Sequence, residues 1–314
     1  MSETVKKATR ESYGLALVEL GEENPDIVVL DADLAEATKS GFFKEKFPER
    51  FVDCGIAECN MIGVAAGLAT CGKIPFASSF AMFAAGRAFE QVRNSVGYPH
   101  LNVKIAGSHA GISVGEDGAT HQCLEDLALM RSIPGMVVLN PADHYEMKAA
   151  VKAAAEYKGP VYIRLGRLAV ESFNNSDDYK FEIGKGVTLR GGKDITVIAT
   201  GLMVSRALEA VRQLEKEGVD ARLVNLHTLK PIDREIIVKA AKETGRIVTV
   251  EEHNVIGGLG DAVAGVLCEE YPVPLVKIGV NDVFGHSGPA ADLLDQYGLN
   301  ASHIAQTVRD ILKK

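Results

Sequence analysis

The chain has 314 residues, of which 46% are hydrophobic and 24% charged, with a formal net charge of −8. That length and balance predict a soluble globular protein of two domains, each able to bury its own core. The acidic charge argues against nucleic acid or an anionic membrane surface as the main partner, but not against a phosphorylated ligand, because arginines can cluster locally within an acidic protein.

The apolar runs are short and broken by glycine, which argues against a membrane span. No basic start followed by an apolar core marks a signal peptide. Five cysteines (Cys54, Cys59, Cys71, Cys123, Cys268) include no CxxC pair. They read as reduced thiols in a cytoplasmic protein.

Short β-branched runs alternate with Ala-rich stretches, the pattern of an α/β protein with a mostly parallel sheet. Ile27–Leu30, Phe51–Cys54, Val103–Ala106, Gly135–Leu139 and Val161–Leu165 are predicted as buried strands. Between them, Met61–Ala69, Ala85–Ser95, Leu124–Arg131 and Asp143–Tyr157 are predicted as helices, with Asp143 as an N-cap after Asn140-Pro141-Ala142. Ser172, Asn174, Asn175, Ser176, Asp177 and Asp178 form an aperiodic polar stretch that predicts a linker. Alternation then restarts: strands at Ile195–Ala199, Ala221–Asn225, Ile247–Val250 and Leu275–Ile278, helices at Ser205–Lys216, Asp233–Glu243 and Gly257–Glu269. The expected organisation is a first domain over 1–175, a linker over 176–183 and a smaller α/β domain over 184–314.

The segment 107–123, GSHAGISVGEDGATHQC, concentrates His109, Glu116, Asp117 and His121 among glycines at 107, 111, 115 and 118. The glycines predict a loop with several residues at positive φ. Imidazoles beside carboxylates suit a polyhydroxylated or anionic ligand. Glu58 follows a strand at its carboxyl end, where open α/β sheets bind ligands. Its neighbours in sequence are small or apolar, so burial is expected to raise its pKa and let it donate a proton to a nitrogen heterocycle.

Phe80 and Phe83, three apart, read as core by spacing alone and as a stacking wall beside a planar ring. Arg10 and Arg167, each at the edge of a predicted element, could together clamp a phosphate. Glu251-Glu252-His253 before Gly257-Gly258-Leu259-Gly260 lacks both the dinucleotide spacing and a Walker lysine, so a structural or interface role is expected there.

Taken together these pieces resemble the C-terminal half of a transketolase over nearly the whole chain. The matching blocks are Ala8-Thr9-Arg10, Ala32-Asp33-Leu34, Gly55-Ile56-Ala57-Glu58, Ser79-Phe80 with Phe83, and His109 with Gly115-Glu116-Asp117-Gly118-Ala119-Thr120-His121-Gln122. They continue through Leu229-Lys230-Pro231-Ile232-Asp233, Glu251-Glu252-His253 and Phe284-Gly285-His286-Ser287-Gly288. The resemblance implies a pyrimidine-binding thiamine diphosphate domain, its parallel sheet flanked by helices, followed by a smaller transketolase C-terminal-type α/β domain. It implies transfer of a two-carbon ketol unit from a ketose or its phosphate to an aldose or its phosphate.

By the same resemblance, Glu58 hydrogen-bonds the cofactor's pyrimidine N1′, and Phe83 with Phe80 stacks on that ring. His121 lies near the reacting carbons, and His109 binds substrate hydroxyl or phosphate. Asp117 reads the acceptor's C2 hydroxyl, Arg10 and Arg167 hold phosphate, and Asp33 joins the substrate-binding set. A serine expected near the phosphate falls at Ala37, with Thr38 and Ser40 as substitutes. The chain begins where the pyrimidine domain begins and lacks the Gly-Asp-Gly…Asn segment for diphosphate and metal. The resemblance therefore implies that Mg2+ or Ca2+ is held by a separate N-terminal subunit, in an α2β2 assembly, with no metal ligand from this chain. The rival resemblances are the β subunit of a 2-oxo acid dehydrogenase E1 component, a deoxyxylulose-phosphate synthase and a non-catalytic scaffold subunit. The Gly-Glu-Asp-Gly-x-Thr-His block with Asp117 favours sugars.

Overall fold

The apolar runs become the strands of two sheets in the computed structural model, which describes residues 5–174 and 179–313. A seven-stranded sheet runs in the order Thr228–Lys230, Val137–Leu139, Val161–Arg164, Lys104–Ser108, Ile74–Phe80, Ile27–Asp31, Phe51–Asp53. Every pairing is parallel except the edge contact of Thr228–Lys230 with Val137–Leu139. A five-stranded sheet runs Leu275–Val280, Ile247–Asn254, Ile195–Ala199, Ala221–Asn225, Val187–Arg190, with only the last strand antiparallel. Strands such as Ile27–Asp31 and Ile195–Ala199 are buried at every position, because helices cover both faces of a parallel sheet.

Helix boundaries follow local chemistry. The Asp143 carboxylate accepts the Glu146 N–H at 3.0 Å and starts His144–Glu156. Asp233 accepts the Ile236 N–H at 3.1 Å and starts Arg234–Thr244, which Gly245 ends at φ 66°. Among the elements that depart from expectation, three bear on the site. The predicted helix Ala85–Ser95 is two π-helical turns, Met82–Arg87 and Val92–Gly97, around a short α-turn, Phe89–Gln91. Its wide turns are closed by Ala88 N–H to Phe83 O at 3.1 Å and Tyr98 N–H to Arg93 O at 2.8 Å. The helix Thr9–Glu23 escapes a pattern search because Ser12, Gly14 and Gly21 are buried beside Tyr13 and Leu17, leaving no clean apolar stripe. Pro75 disguises Ile74–Phe80, a central strand.

The two halves share one core. Leu127, Met130 and Ile133 of the first pack in the same cluster as Leu229, Ile237, Leu259, Val263 and Leu267 of the second. Residues 176–178 of the predicted linker lie outside the described residues; Tyr179 to Ile183 do not hang free. The Tyr179 hydroxyl donates to Glu146 Oε1 at 2.8 Å, and the Phe181 ring lies 4.1 Å from that of His227.

A buried ion pair sits where the sheets meet. Arg164 Nε donates to Asp126 Oδ2 at 2.9 Å, the Tyr162 hydroxyl donates to the same oxygen at 2.8 Å, and Arg164 Nη2 donates to Glu252 O at 2.8 Å. Removing one member of such a pair strands the other without water. Asp126→Ala is expected to cost about 3–5 kcal/mol in denaturant unfolding. Lys73→Ala, which breaks the exposed pair with Asp26, is expected to cost less than about 1 kcal/mol. Equal costs for the two variants would contradict this account of the junction.

Candidate active site

The carboxyl ends of neighbouring strands deliver the site. Ile74–Phe80 ends in Phe80, Lys104–Ser108 leads into His109, Ile27–Asp31 leads to Asp33, Phe51–Asp53 leads to Glu58, and Val161–Arg164 leads to Arg167. This is where parallel sheets place ligands. Arg10, in the first turn of Thr9–Glu23, is brought alongside: its N–H reaches Gly166 O at 3.5 Å, and Gly166 N–H donates to Thr9 Oγ1 at 2.7 Å.

One wall is aromatic. The Phe80 and Phe83 rings stack at 6.0 Å with 15° between planes. His109 stacks on Phe80 at 4.0 Å, and His121 sets its edge on Phe83 at 5.3 Å. Phe83 reaches this position from the first π turn, and four residues on Arg87 lies over its ring at 4.6 Å. Arg87 Nη1 also donates to Glu58 Oε2 at 2.9 Å. Glu58 is only 2% exposed at the start of its helix, and its Oε1 has no protein partner among the described residues. Small and apolar neighbours in sequence gave no sign of this partner: Arg87 lies 29 residues away in the chain.

The aromatic wall adjoins a cationic one, and the His109 imidazole between them is neutral. Arg10 Nη1 donates to Ala37 O at 2.7 Å and to His109 Nε2 at 3.3 Å. A guanidinium can only donate, so His109 Nε2 accepts and Nδ1–H donates to Ser108 Oγ at 2.9 Å. Burial first, then the charges of Arg10 and Arg167, push His109 down to about 3. His109 takes φ 56° and Asp33 φ 61°, the left-handed backbone that side chains rarely adopt and that clusters at ligand sites. Arg167 Nη1 donates to Val114 O and to Glu116 Oε2, the latter at 2.9 Å.

Asp33 and Asp117 are exposed at the rim and make no side-chain hydrogen bond to the wall residues. Thr38 and Ser40 are not substitutes for the serine missing at Ala37. Both hydroxyls are buried and donate to Asp31 Oδ2 at 2.8 Å. Burial raises Asp31 to about 6, against the hydrogen bonds of Thr38, Leu34 N–H and Ser40.

The loop between the histidines is shaped from the second half. Glu252 Oε1 accepts Ser113 N–H at 2.6 Å, and Gln122 Nε2 donates to His286 O at 3.0 Å. A Cβ on Gly111, at φ 87°, would lie 2.3 Å from Glu252 Oε1, so only glycine fits. In the glycine turn at 257–260, Gly257 N–H donates to Asp261 Oδ2 at 2.6 Å, and Leu259 and Gly260 N–H donate to the Glu251 carboxylate at 2.7 and 2.8 Å.

An α/β protein with an acid, an aromatic shelf and paired guanidiniums at its strand ends defines a class, and comparison with known proteins identifies which. The transketolase pyrimidine-binding domain matches residues 5–172 and the transketolase C-terminal domain matches residues 184–304. The chain belongs to the transketolase family. It is 53% identical over 99% of its length to the transketolase C-terminal section of Methanocaldococcus jannaschii, covering 98% of that protein. It is 44% identical over 97% of its length to a 6-deoxy-6-sulfo-D-fructose transketolase subunit of a Clostridium species, covering 94% of it. Human transketolase is 40% identical over 98% of the chain, which spans only 50% of that longer protein. A solved structure described as a split gene transketolase, inactive β4 tetramer, superposes with a TM-score of 0.90 at 58% identity, covering 98% of this chain and 99% of that one.

The environment of His109 predicts an acid sensitivity. The native imidazole refuses the proton that the unfolded chain accepts near 6.5, so stability falls as pH drops from about 6.5 toward 3. His109→Asn is expected to flatten the slope of unfolding free energy against pH in that window by about one proton. Urea titrations between pH 7 and 4 measure it. An unchanged slope would mean that His109 protonates normally in the folded protein.

Proposed function

We propose that this chain is the pyrimidine-binding subunit of a two-chain transketolase. The enzyme would move a two-carbon ketol unit from a ketose or its phosphate to an aldose or its phosphate, in the cytoplasm. Glu58 carries this reading: a buried acid with Oε2 on Arg87 and no protein partner for Oε1 among the described residues, linked through Arg87 to the Phe83 ring. An aminopyrimidine needs an acid at a ring nitrogen and a stacking face, so these residues fit thiamine diphosphate.

When bound, thiamine diphosphate supplies a nucleophilic thiazolium carbon. Glu58 would hold a proton at the pyrimidine N1′, with Phe80 and Phe83 stacking on the ring. His109, fixed as the Nδ1–H tautomer, presents only an acceptor, Nε2, toward Arg10. His121, whose ring meets Phe83 edge-on, would assist proton transfer at the reacting carbons. Arg10 and Arg167 would bind the anionic end of a sugar phosphate, and Asp117 and Asp33, at the rim, would read its hydroxyls.

The diphosphate and its Mg2+ or Ca2+ would lie on a partner chain, in an α2β2 assembly. Relatives of nearly this length described as a section or a subunit support the division. We divide the chain into a pyrimidine-binding domain over 1–175, a linker over 176–183 and a C-terminal domain over 184–314. Unpaired cysteines at 54, 59, 71, 123 and 268 suit a reducing compartment.

In the assembled enzyme, Glu58→Gln is expected to lower ketol transfer by at least about 100-fold while the melting temperature and assembly mass are kept. Near-full activity would remove Glu58 from the chemistry. Arg167→Ala is expected to raise KM for a phosphorylated acceptor far more than for its unphosphorylated counterpart. Equal effects on both acceptors would take Arg167 out of the anion site.

A further inference from the structure

The two guanidiniums at the anion end are not equivalent. Arg10 donates to neutral acceptors, Ala37 O and His109 Nε2, and its Nε is buried without a partner. Arg167 instead carries a carboxylate, Glu116 Oε2, at 2.9 Å. The Glu116 side chain is 65% exposed and that of Arg167 36%. Glu116 could turn into water at little cost, while Arg167 keeps its bond to Val114 O.

We infer that Glu116 is a displaceable counter-ion: it occupies Arg167 until the anionic end of a ligand takes its place. This deepens the reading of Arg10 and Arg167 as the anion pair and rests on it. With Glu116 in place the group carries two positive charges and one negative. With Glu116 swung out it carries two positive charges, which match a phosphate dianion.

Several features support a carboxylate that competes rather than one that merely decorates the surface. Its own backbone N–H and then Arg167 hold Glu116 below the usual carboxylate range, so it is charged at neutral pH. Arg167 lowers Arg10, second to burial, so the guanidiniums repel each other and gain from a shared anion. Glu116 follows Gly115 at φ 87° and precedes Asp117 in a segment without helix or strand. A carboxylate on Arg167 also discriminates against ligands too weakly charged to displace it. Glu116 is thus assigned as a specificity-determining residue.

The test is calorimetric titration of the full chain with inorganic phosphate at low ionic strength, for wild type, Glu116→Gln, Arg10→Ala, Arg167→Ala and the double variant Glu116→Gln with Arg167→Ala. Displacing an exposed ion pair predicts that Glu116→Gln binds phosphate about two- to fivefold more tightly than wild type. The gain should vanish in the Arg167→Ala background, where there is nothing left to release. Unchanged or weaker binding by Glu116→Gln overturns the inference. So does a gain that persists without Arg167, which would be a general field effect. Binding that ignores both Arg10→Ala and Arg167→Ala, or no binding at all, overturns the anion-pair reading and this inference with it. Binding lost in the arginine variants but indifferent to Glu116→Gln overturns the inference alone.

Discussion

The site depends on a clamp that the first half of the chain does not supply. The segment between His109 and His121 carries Gly111, Gly115 and Gly118 at positive φ and has no ladder of its own beyond a bridge from Ala110 to Cys123. Its shape is imposed by Glu252, which reaches from the second sheet to the Ser113 amide at 2.6 Å. Burial raises the Glu252 pKa, with Arg164 opposing. Asn254 N–H to Leu124 O at 2.9 Å and Gln122 to His286 O at 3.0 Å close the loop from the same side. The C-terminal half therefore shapes the loop that carries both histidines.

This arrangement explains why the halves share a core and a strand. A glycine-rich loop loses much conformational entropy when ordered. Ordering it requires rigid partners on both sides, and a freely hinged second domain would not provide them. The bond from Arg164 to Glu252 O, the pairing of Thr228–Lys230 with Val137–Leu139 and the continuous apolar cluster fix the second sheet against the first. The two walls of the site then meet with a neutral His109 between stacked aromatics and guanidiniums, a polarity that its hydrogen bonds dictate.

Much of this was legible in the residues. Continuous apolar runs announced the parallel strands, Asp143 announced a cap, and the glycines of 107–123 announced a loop at positive φ. The acid and the aromatics could be picked out because their positions follow strand ends. Contacts made at long range were not legible. Nothing local ties Arg87 to Glu58, and the π turn that brings Arg87 over Phe83 has no distinct sequence signature. Thr38 and Ser40 looked available for a ligand until Asp31, on a strand that reads as plain core, took both hydroxyls. Thr228–Lys230 is too short to show a period, and its partner strand lies far upstream.

The mechanism rests on the proposed division of one active site between this chain and another. It is tested most directly by measuring ketol transfer with thiamine diphosphate and Mg2+ for the purified chain alone and for its equimolar mixture with a chain bearing the Gly-Asp-Gly…Asn segment, with the mass of each read by light scattering. The account predicts no transfer from the chain alone, and transfer together with a mass of two copies of each chain in the mixture. Transfer by the chain alone, or a mixture that neither assembles nor turns over, would contradict it.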